Sequence, residues 1–414
     1  MDRPLRRRGR IVPQLFAALI LGFMTGATAT AASWRVTFRG QGTAAGETPV
    51  VAKIDARIPA GDYLLRPEKG DAIPAQVFEL DKTKYLGTVL RTIPAEGTMI
   101  YVMTPNTDSG ESRKGVEFRA TGGNLDVRIA GHPFTVYRTD EPTKPYFWPV
   151  IGPTGTAITR AYPMEAVAGE DRDHPHQRSL WFTFGNVNGY DFWAPDPLNK
   201  PSPKFGKIKE TSRKTISGPA LGVLRTTDDW LGPDGKAVCS DERTVTFYDT
   251  TQGRVFDFDV TMKAPNEPVT FNDTKEGMFG FRVASSMDSA KTTGGKIINA
   301  EGVTNEAAWG KASPWVDYTG PLAGKTVGIA ILNHPDSFRH PTTWHVRPYG
   351  LFAANPFGGH DFGQKESGTH SIPAGESIRV RYRVFLHEGD TVTAKVAEAF
   401  STYAKPPSVE IKAE

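Results

Sequence analysis

Two segments alternate so strictly that they restrict the chain to one fold class. ERTVTFYDTTQGRVFDFDVTMKA predicts two strands, residues 244–248 and 254–262, joined by a turn through 249–253. ESIRVRYRVFLHEGD sets Ile378, Val380, Tyr382 and Val384 on one side and Arg379, Arg381 and Arg383 on the other. Successive strand side chains point to opposite faces, so one apolar side and one charged side describe an antiparallel sheet that buries a single face. VAKIDARI, residues 85–91 and 98–103, and the segments VEFRA, LDVRIAG and HPFTVYRT carry the same period with β-branched and aromatic residues. The stretch with helical character is DTVTAKVAEAFSTYAK, where Asp390 is placed to cap a helix.

The expected architecture is all-β. A large antiparallel β-sandwich spans 116–390, a small β-sandwich domain spans 33–115, and a C-terminal helix or tail occupies 391–414. TPNTDSGESRKG (104–115) predicts a connecting loop and PDPLNKPSPKFG (195–206) a surface loop. The chain's 414 residues are enough for two such cores.

Residues 1–32 have the layout of a signal peptide. RPLRRRGR is positive, 11–24 is apolar, and TGATATAAS offers Ala29 and Ala31 to a peptidase. This predicts a periplasmic or secreted protein with no membrane association after cleavage; an uncleaved anchor is the alternative. Cys239 is the sole cysteine, so no intrachain disulfide can form. A formal charge of +3 is too small to indicate a nucleic-acid partner. The oligomeric state is not legible. KTTGGK lacks P-loop spacing, and neither G-x-G-x-x-G nor G-x-S-x-G occurs in the required context.

Three remote segments concentrate polar chemistry. In DRDHPHQRSLWFTFGNVNGYDFW, an extended backbone puts the rings of His174 and His176 on one side, with Arg178 continuing that side. The same stretch adds Trp181, Asn188, Asp191 and Trp193 as candidate ligand contacts, although core packing is the competing role of Trp181. In HPTTWHVRPYGLFAANPFG, His345, Arg347, Tyr349 and Asn355 lie among prolines that prevent regular pairing, as at a pocket rim. In FNDTKEGMFGFRV, Glu276 stands beside Gly277, where a ligand can approach; an ion pair with Lys275 is the plainer alternative. Their convergence would give four candidate catalytic groups, His174, His176, Glu276 and His345. Around them would stand candidate binding residues Arg178, Trp181, Asn188, Asp191, Trp193, Arg347, Tyr349 and Asn355. No cofactor is expected. A metal stays open, because H-x-H with a distant histidine and a carboxylate suffices for zinc, although no H-E-x-x-H helix accompanies it.

GTAITRAYPM, DHPHQRSLWFTFGNVNGYDFW, DTKEGMFGFRV and HPTTWHVRPYGLFAANPFG together resemble the bacterial family labelled PmoA-like, a domain of unknown function, over residues 116–388. The resemblance implies a secreted protein of carbohydrate utilisation. It also implies a galactose-mutarotase-like supersandwich, the large sandwich shared by aldose epimerases. That family uses a histidine acid and a glutamate base, roles that fall here to His176 or His345 and to Glu276. Glu276 lies farther from the C-terminus than the epimerase glutamate. Three functions follow: a carbohydrate-active enzyme of epimerase, lyase or hydrolase type; a non-catalytic carbohydrate-binding or scaffolding protein; or a metal-dependent oxidase or hydrolase.

Overall fold

The computed structural model describes residue 1 and residues 33–107, 115–141, 143–290 and 294–414. The expected leader and most of the 104–115 loop lie outside these residues. Two eight-stranded antiparallel sheets face each other. The first runs Thr343–Val346, Leu351–Asn355, Gly277–Arg282, Leu180–Phe184, Tyr146–Val150, His132–Arg138, Asn124–Ile129 and Val116–Thr121. The second runs Lys207–Ile216, Leu221–Leu231, Ala237–Tyr248, Arg254–Lys263, Ser377–Glu388, Lys325–Asn333, Trp315–Leu322 and Lys296–Asn299. Phe147, Phe182 and Phe279 of the first sheet meet Phe258 of the second, with ring centroids 6.4, 6.0 and 4.6 Å away. Each such buried ring contributes roughly 1.5–3 kcal/mol relative to exposure.

The expected hairpin is present and longer than the pattern predicts. Ala237–Tyr248 pairs with Arg254–Lys263, with Tyr248 opposite Val255. Its first half was hidden because inward positions carry charge. Asp241 and Arg243 are buried, paired at 2.8 Å, and the indole of Trp230 donates to Asp241 over 2.6 Å. The outward arginines meet carboxylates of the adjoining strand: Arg383 Nε donates to Asp257 over 2.6 Å and Arg379 Nε to Asp259 over 2.7 Å.

A seven-stranded antiparallel sheet holds the N-terminal part: Thr48–Lys53, Thr83–Leu90, Ile73–Leu80, Gly61–Pro67, Thr98–Pro105, Trp34–Arg39 and Ser408–Ala413. The strand expected over VAKIDARI stops at Lys53, because the Asp55 carboxylate accepts the Arg57 backbone N–H at 2.8 Å and closes a turn. The C-terminal residues are more than a helix or free tail. A helix, Val396–Ala404, is followed by the strand Ser408–Ala413, which completes the N-terminal sheet beside Trp34–Arg39. Asp390 does not cap the helix; its carboxylate takes the Thr393 N–H of a preceding turn, and Lys395 holds the cap position in the left-handed region. The N-terminal sheet has its own core around Val36, Phe38, Leu65 and Leu86. It docks on the sandwich through Gln76, whose side-chain oxygen accepts from the Leu221 N–H at 3.2 Å. The described residues from Ser33 onward form one compact unit.

Candidate active site

The first sheet builds the site on the face turned away from the sandwich core. Alternation decides which residues reach it. Phe182, Phe279, Phe281 and Phe352 enter the core, so Trp181, Gly280, Arg282 and Ala353 point outward. One cross-strand row joins Tyr146, Trp181, Gly280, Ala353 and His345, each opposite the next. Gly280 is required in this row: a Cβ there would lie 2.8 Å from the Trp181 ring. Loops carrying 160–179, 274–276 and Trp309 cover the sheet at this end.

The HPH segment is a turn, which corrects the expected extended backbone. His174 has φ 43° and its carbonyl accepts the Gln177 N–H at 3.0 Å. The two imidazoles nevertheless stay neighbours, with ring centroids 5.8 Å apart. His174 stacks on Tyr349, centroids 5.3 Å apart and planes 7° apart, and its Nδ1–H donates to Asp173 over 2.6 Å. That bond fixes the tautomer and leaves Nε2 without a protein partner among the described residues. Asp173 is the hub. Its carboxylate also accepts from Arg282 at 2.7 Å and from Arg160, both guanidiniums being buried. Burial alone would raise this carboxyl, but Arg282, the His174 ring and Arg160 hold it well below the usual carboxylate range.

His176 is turned differently. Its Nδ1 accepts from the Asn199 amide at 3.2 Å, because that amide's other hydrogen goes to the Ala194 carbonyl. Burial first, then Lys144 and His174, bring its pKa down to about 3, so the ring is neutral with Nε2 as donor. His345 is buried and donates Nδ1–H to the Lys275 carbonyl over 2.7 Å. Burial likewise lowers its pKa to about 3, leaving Nε2 an unprotonated acceptor. Glu276 follows Lys275 in the chain. Burial raises its carboxyl above the ordinary range against the opposing charge of Lys275, whose Nζ is 3.4 Å away; Asp191 raises it further and the field of His174 lowers it. His174, Glu276, His345 and Tyr349 thus share one electrostatic neighbourhood.

Several expected ligand contacts have other occupations. Arg178 is buried beside Tyr146: Nε donates to the fully buried Asp196 at 2.7 Å, and another guanidinium nitrogen lies 3.0 Å from Glu141. Two of its nitrogens are thus engaged by carboxylates of this chain, and the Asp196 contact ties it to the 193–199 loop. Asn355 is fully buried and donates to the carbonyls of Thr274 and Lys275, holding the Glu276 loop from behind. Asn188 accepts the Thr270 N–H in a separate turn. Asp191 accepts the N–H groups of Trp193 and Ala194. Trp181 and Trp193 are buried against each other, centroids 5.2 Å apart, and form the floor beneath His176. Arg347 and Tyr349 remain half-buried at the rim.

Sequence reasoning missed Asp173 as the orienting carboxylate, Arg160 beside it, Gln177, whose side-chain oxygen accepts from Arg282, and Trp309. Asp173 stood next to His174 in the quoted stretch, and its adjacency was the available signal. Trp309 directly follows a short 3-10 turn, Asn305–Ala308, with no local pattern around it. Among the described residues no three His, Cys, Asp or Glu side chains group closely enough to hold a metal ion.

These features define an all-β sandwich protein with a cluster of histidines and carboxylates, the candidate site, on the outer face of one sheet. The chain belongs to a family of unknown function, DUF6807, whose model matches residues 124–401. The match covers the three segments that build the site and excludes the strands at 34–105. No curated protein matches the sequence. Among solved structures, an alpha-mannosidase from Enterococcus faecalis V583 aligns with a TM-score of 0.44 at 10% identity, over 92% of this chain and 46% of that one. The chain therefore spans less than half of that protein's length.

Proposed function

We propose that this protein is an exported carbohydrate-active enzyme that performs general acid–base chemistry on a sugar or glycoside, of epimerase, lyase or hydrolase type. The observation that carries the reading is a carboxylate-oriented imidazole, Asp173–His174, stacked on the half-buried ring of Tyr349, with Glu276 on the neighbouring loop that His345 holds. His174 Nε2 serves as proton acceptor or relay. Glu276, shifted toward neutrality, exchanges a proton on the opposite side of the substrate. His345 stays neutral and offers Nε2 as a hydrogen-bond acceptor for a hydroxyl. The rings of Tyr349 and Trp309 supply apolar surface for the C–H face of a pyranose. His176, expected as one of two candidate acids, is neutral and held by Asn199, which suits a donor to substrate oxygen better than an acid. The leader-like residues 1–32 and the resemblance to PmoA-like proteins support export.

The test is a panel of glycans, glycosides and oxidised sugars incubated with purified protein and read by mass spectrometry. Glu276→Gln and His174→Gln are expected to lose about 10²–10⁴-fold in turnover while staying folded at the assay temperature. Folded protein that neither binds nor converts any member of the panel overturns the reading. Glu276→Gln that binds sugar with wild-type affinity, in a protein without turnover, would favour a binding protein instead.

A further inference from the structure

Most buried or half-buried cations around this site meet an acceptor among the described residues. Arg160 and Arg282 converge on Asp173. Arg178 is held by Asp196 and Glu141. Lys275 lies against Glu276. Lys144 is buried and donates to the carbonyls of Trp193 and Pro195. Arg347 is different. No side-chain hydrogen bond or ion pair reaches its guanidinium among the described residues; its contacts are two aromatic rings, Trp309 at 5.4 Å and Tyr349 at 5.9 Å from the guanidinium carbon to the ring centroid.

The backbone fixes where this cation stands. The Arg347 N–H donates to the Leu351 carbonyl at 2.7 Å, closing the turn between the strands Thr343–Val346 and Leu351–Asn355. Arg347 therefore stands two residues beyond His345 on the same strand end, and Tyr349 beneath it carries the His174 stack. A guanidinium keeps its charge at any working pH and has its donors in the plane of the group. Aromatic neighbours restrain it by cation–π attraction without using those donors. The result is a positioned cation with an open fork at the mouth of the site.

We propose that the substrate is an acidic sugar, a uronate or an aldonate, whose carboxylate is received by Arg347. The proposal rests on the carbohydrate reading of the site and narrows it. A planar carboxylate fits the guanidinium fork with two parallel hydrogen bonds, geometry that a neutral hydroxyl cannot reproduce. Binding there would place the sugar ring between Arg347 and the His174–Glu276 pair, over the rim rings. Arg178, the other candidate binding arginine, is already engaged by Asp196 and Glu141.

The test is calorimetric titration of the wild type, Arg347→Met and Arg347→Lys with D-glucuronate, D-galacturonate, D-gluconate, glucose 6-phosphate, glucose and galactose. At least one sugar acid is expected to bind wild type about tenfold or more tighter than its neutral counterpart. Arg347→Met is expected to weaken that acid by about 10–100-fold and to leave neutral sugars unchanged, with Arg347→Lys between the two. Melting curves establish that the variants are folded; Arg347→Lys keeps the inference testable if Arg347→Met is not. Acids that bind no tighter than neutral sugars, or a loss that is equal for both, overturn this inference and leave the carbohydrate reading standing. Preference for the phosphate over every carboxylate overturns it as well. Absence of binding by every sugar in the panel removes both.

Discussion

His345 donates its Nδ1–H to the carbonyl of Lys275 over 2.7 Å, and Lys275 is the residue before Glu276. A histidine on one strand thereby holds the loop that presents the carboxylate, and Asn355 adds two more bonds to the same loop. The ring does this as a neutral group, and neutrality has a consequence for pH.

His345 and His176 both have folded pKa values near 3, below the ordinary 6.5. Between those limits the unfolded chain takes up protons that the folded chain refuses. Stability is therefore complete above the ordinary histidine pKa and is lost as pH falls below it, by up to about 1.4 kcal/mol per pH unit for each ring. Thermal melts from about pH 7.5 down to about pH 5 should show this decline, and His345→Asn should make it shallower. Equal slopes for wild type and variant would count against the assignment.

Glu276 works in the opposite sense. Its folded pKa is raised, so the folded state holds the proton more tightly and stability falls as pH rises past the ordinary carboxyl range. Glu276→Gln is expected to raise the melting temperature at neutral pH and to lose that advantage in acid. A variant less stable than wild type at pH 7 would show that the carboxylate is better compensated than the geometry implies.

Arg178 is expected to matter for folding and not for ligand. Arg178→Met leaves Asp196 charged and fully buried, a situation that costs about 3–5 kcal/mol. Denaturant titration should report that loss, with affinity per folded molecule retained. Retained stability together with lost affinity would return Arg178 to the site.

Gly280→Ala forces the Trp181 ring aside, because its Cβ would lie 2.8 Å from a ring carbon. The expected loss is about 1–3 kcal/mol, with a changed near-ultraviolet circular dichroism signal from the Trp181–Trp193 pair. An unaltered spectrum and stability would mean that the row has room for a methyl group at this position.

Removing residues 408–414 strips the partner from the strand Trp34–Arg39 and removes Val409 and Ile411 from its core. An unpaired edge and lost apolar contact should lower stability and promote association between exposed strands. Analytical ultracentrifugation and melting curves of the truncated chain check both effects; a monomer of full stability would contradict the pairing.

Some of this was written locally. The alternation in 254–262 and 378–385 determined antiparallel strands with one buried face, since a period of two admits no other regular element. The sheet register then sets Asp257 and Asp259 opposite Arg383 and Arg381. The three polar segments were visible as segments because histidine, proline and glycine are crowded there beyond what a core would take. Other features escaped for identifiable reasons. Ala237–Tyr248 is longer than its pattern because Asp241 and Arg243 satisfy each other inside, so polar residues occupy core positions. The HPH turn escaped because a positive φ at His174 has no signature in the residue types around it.

What the chain could not state was which charge meets which. Arg178 and Arg347 look alike in sequence, each beside histidines and aromatics. Asp196, eighteen residues from Arg178, and Glu141, from before the strand Tyr146–Val150, arrive at Arg178 through sheet packing. Trp309, from an unrelated turn, arrives at Arg347. The sequence by itself determined the fold class and the segments that carry the chemistry, because strand period and residue crowding are local properties. The tertiary structure alone decided that His174 is oriented by Asp173, that Glu276 sits in its field, and that Arg347 keeps its donors open. Those are contacts between remote residues, and desolvation and Coulomb energy depend on distances that only the packed sheets impose.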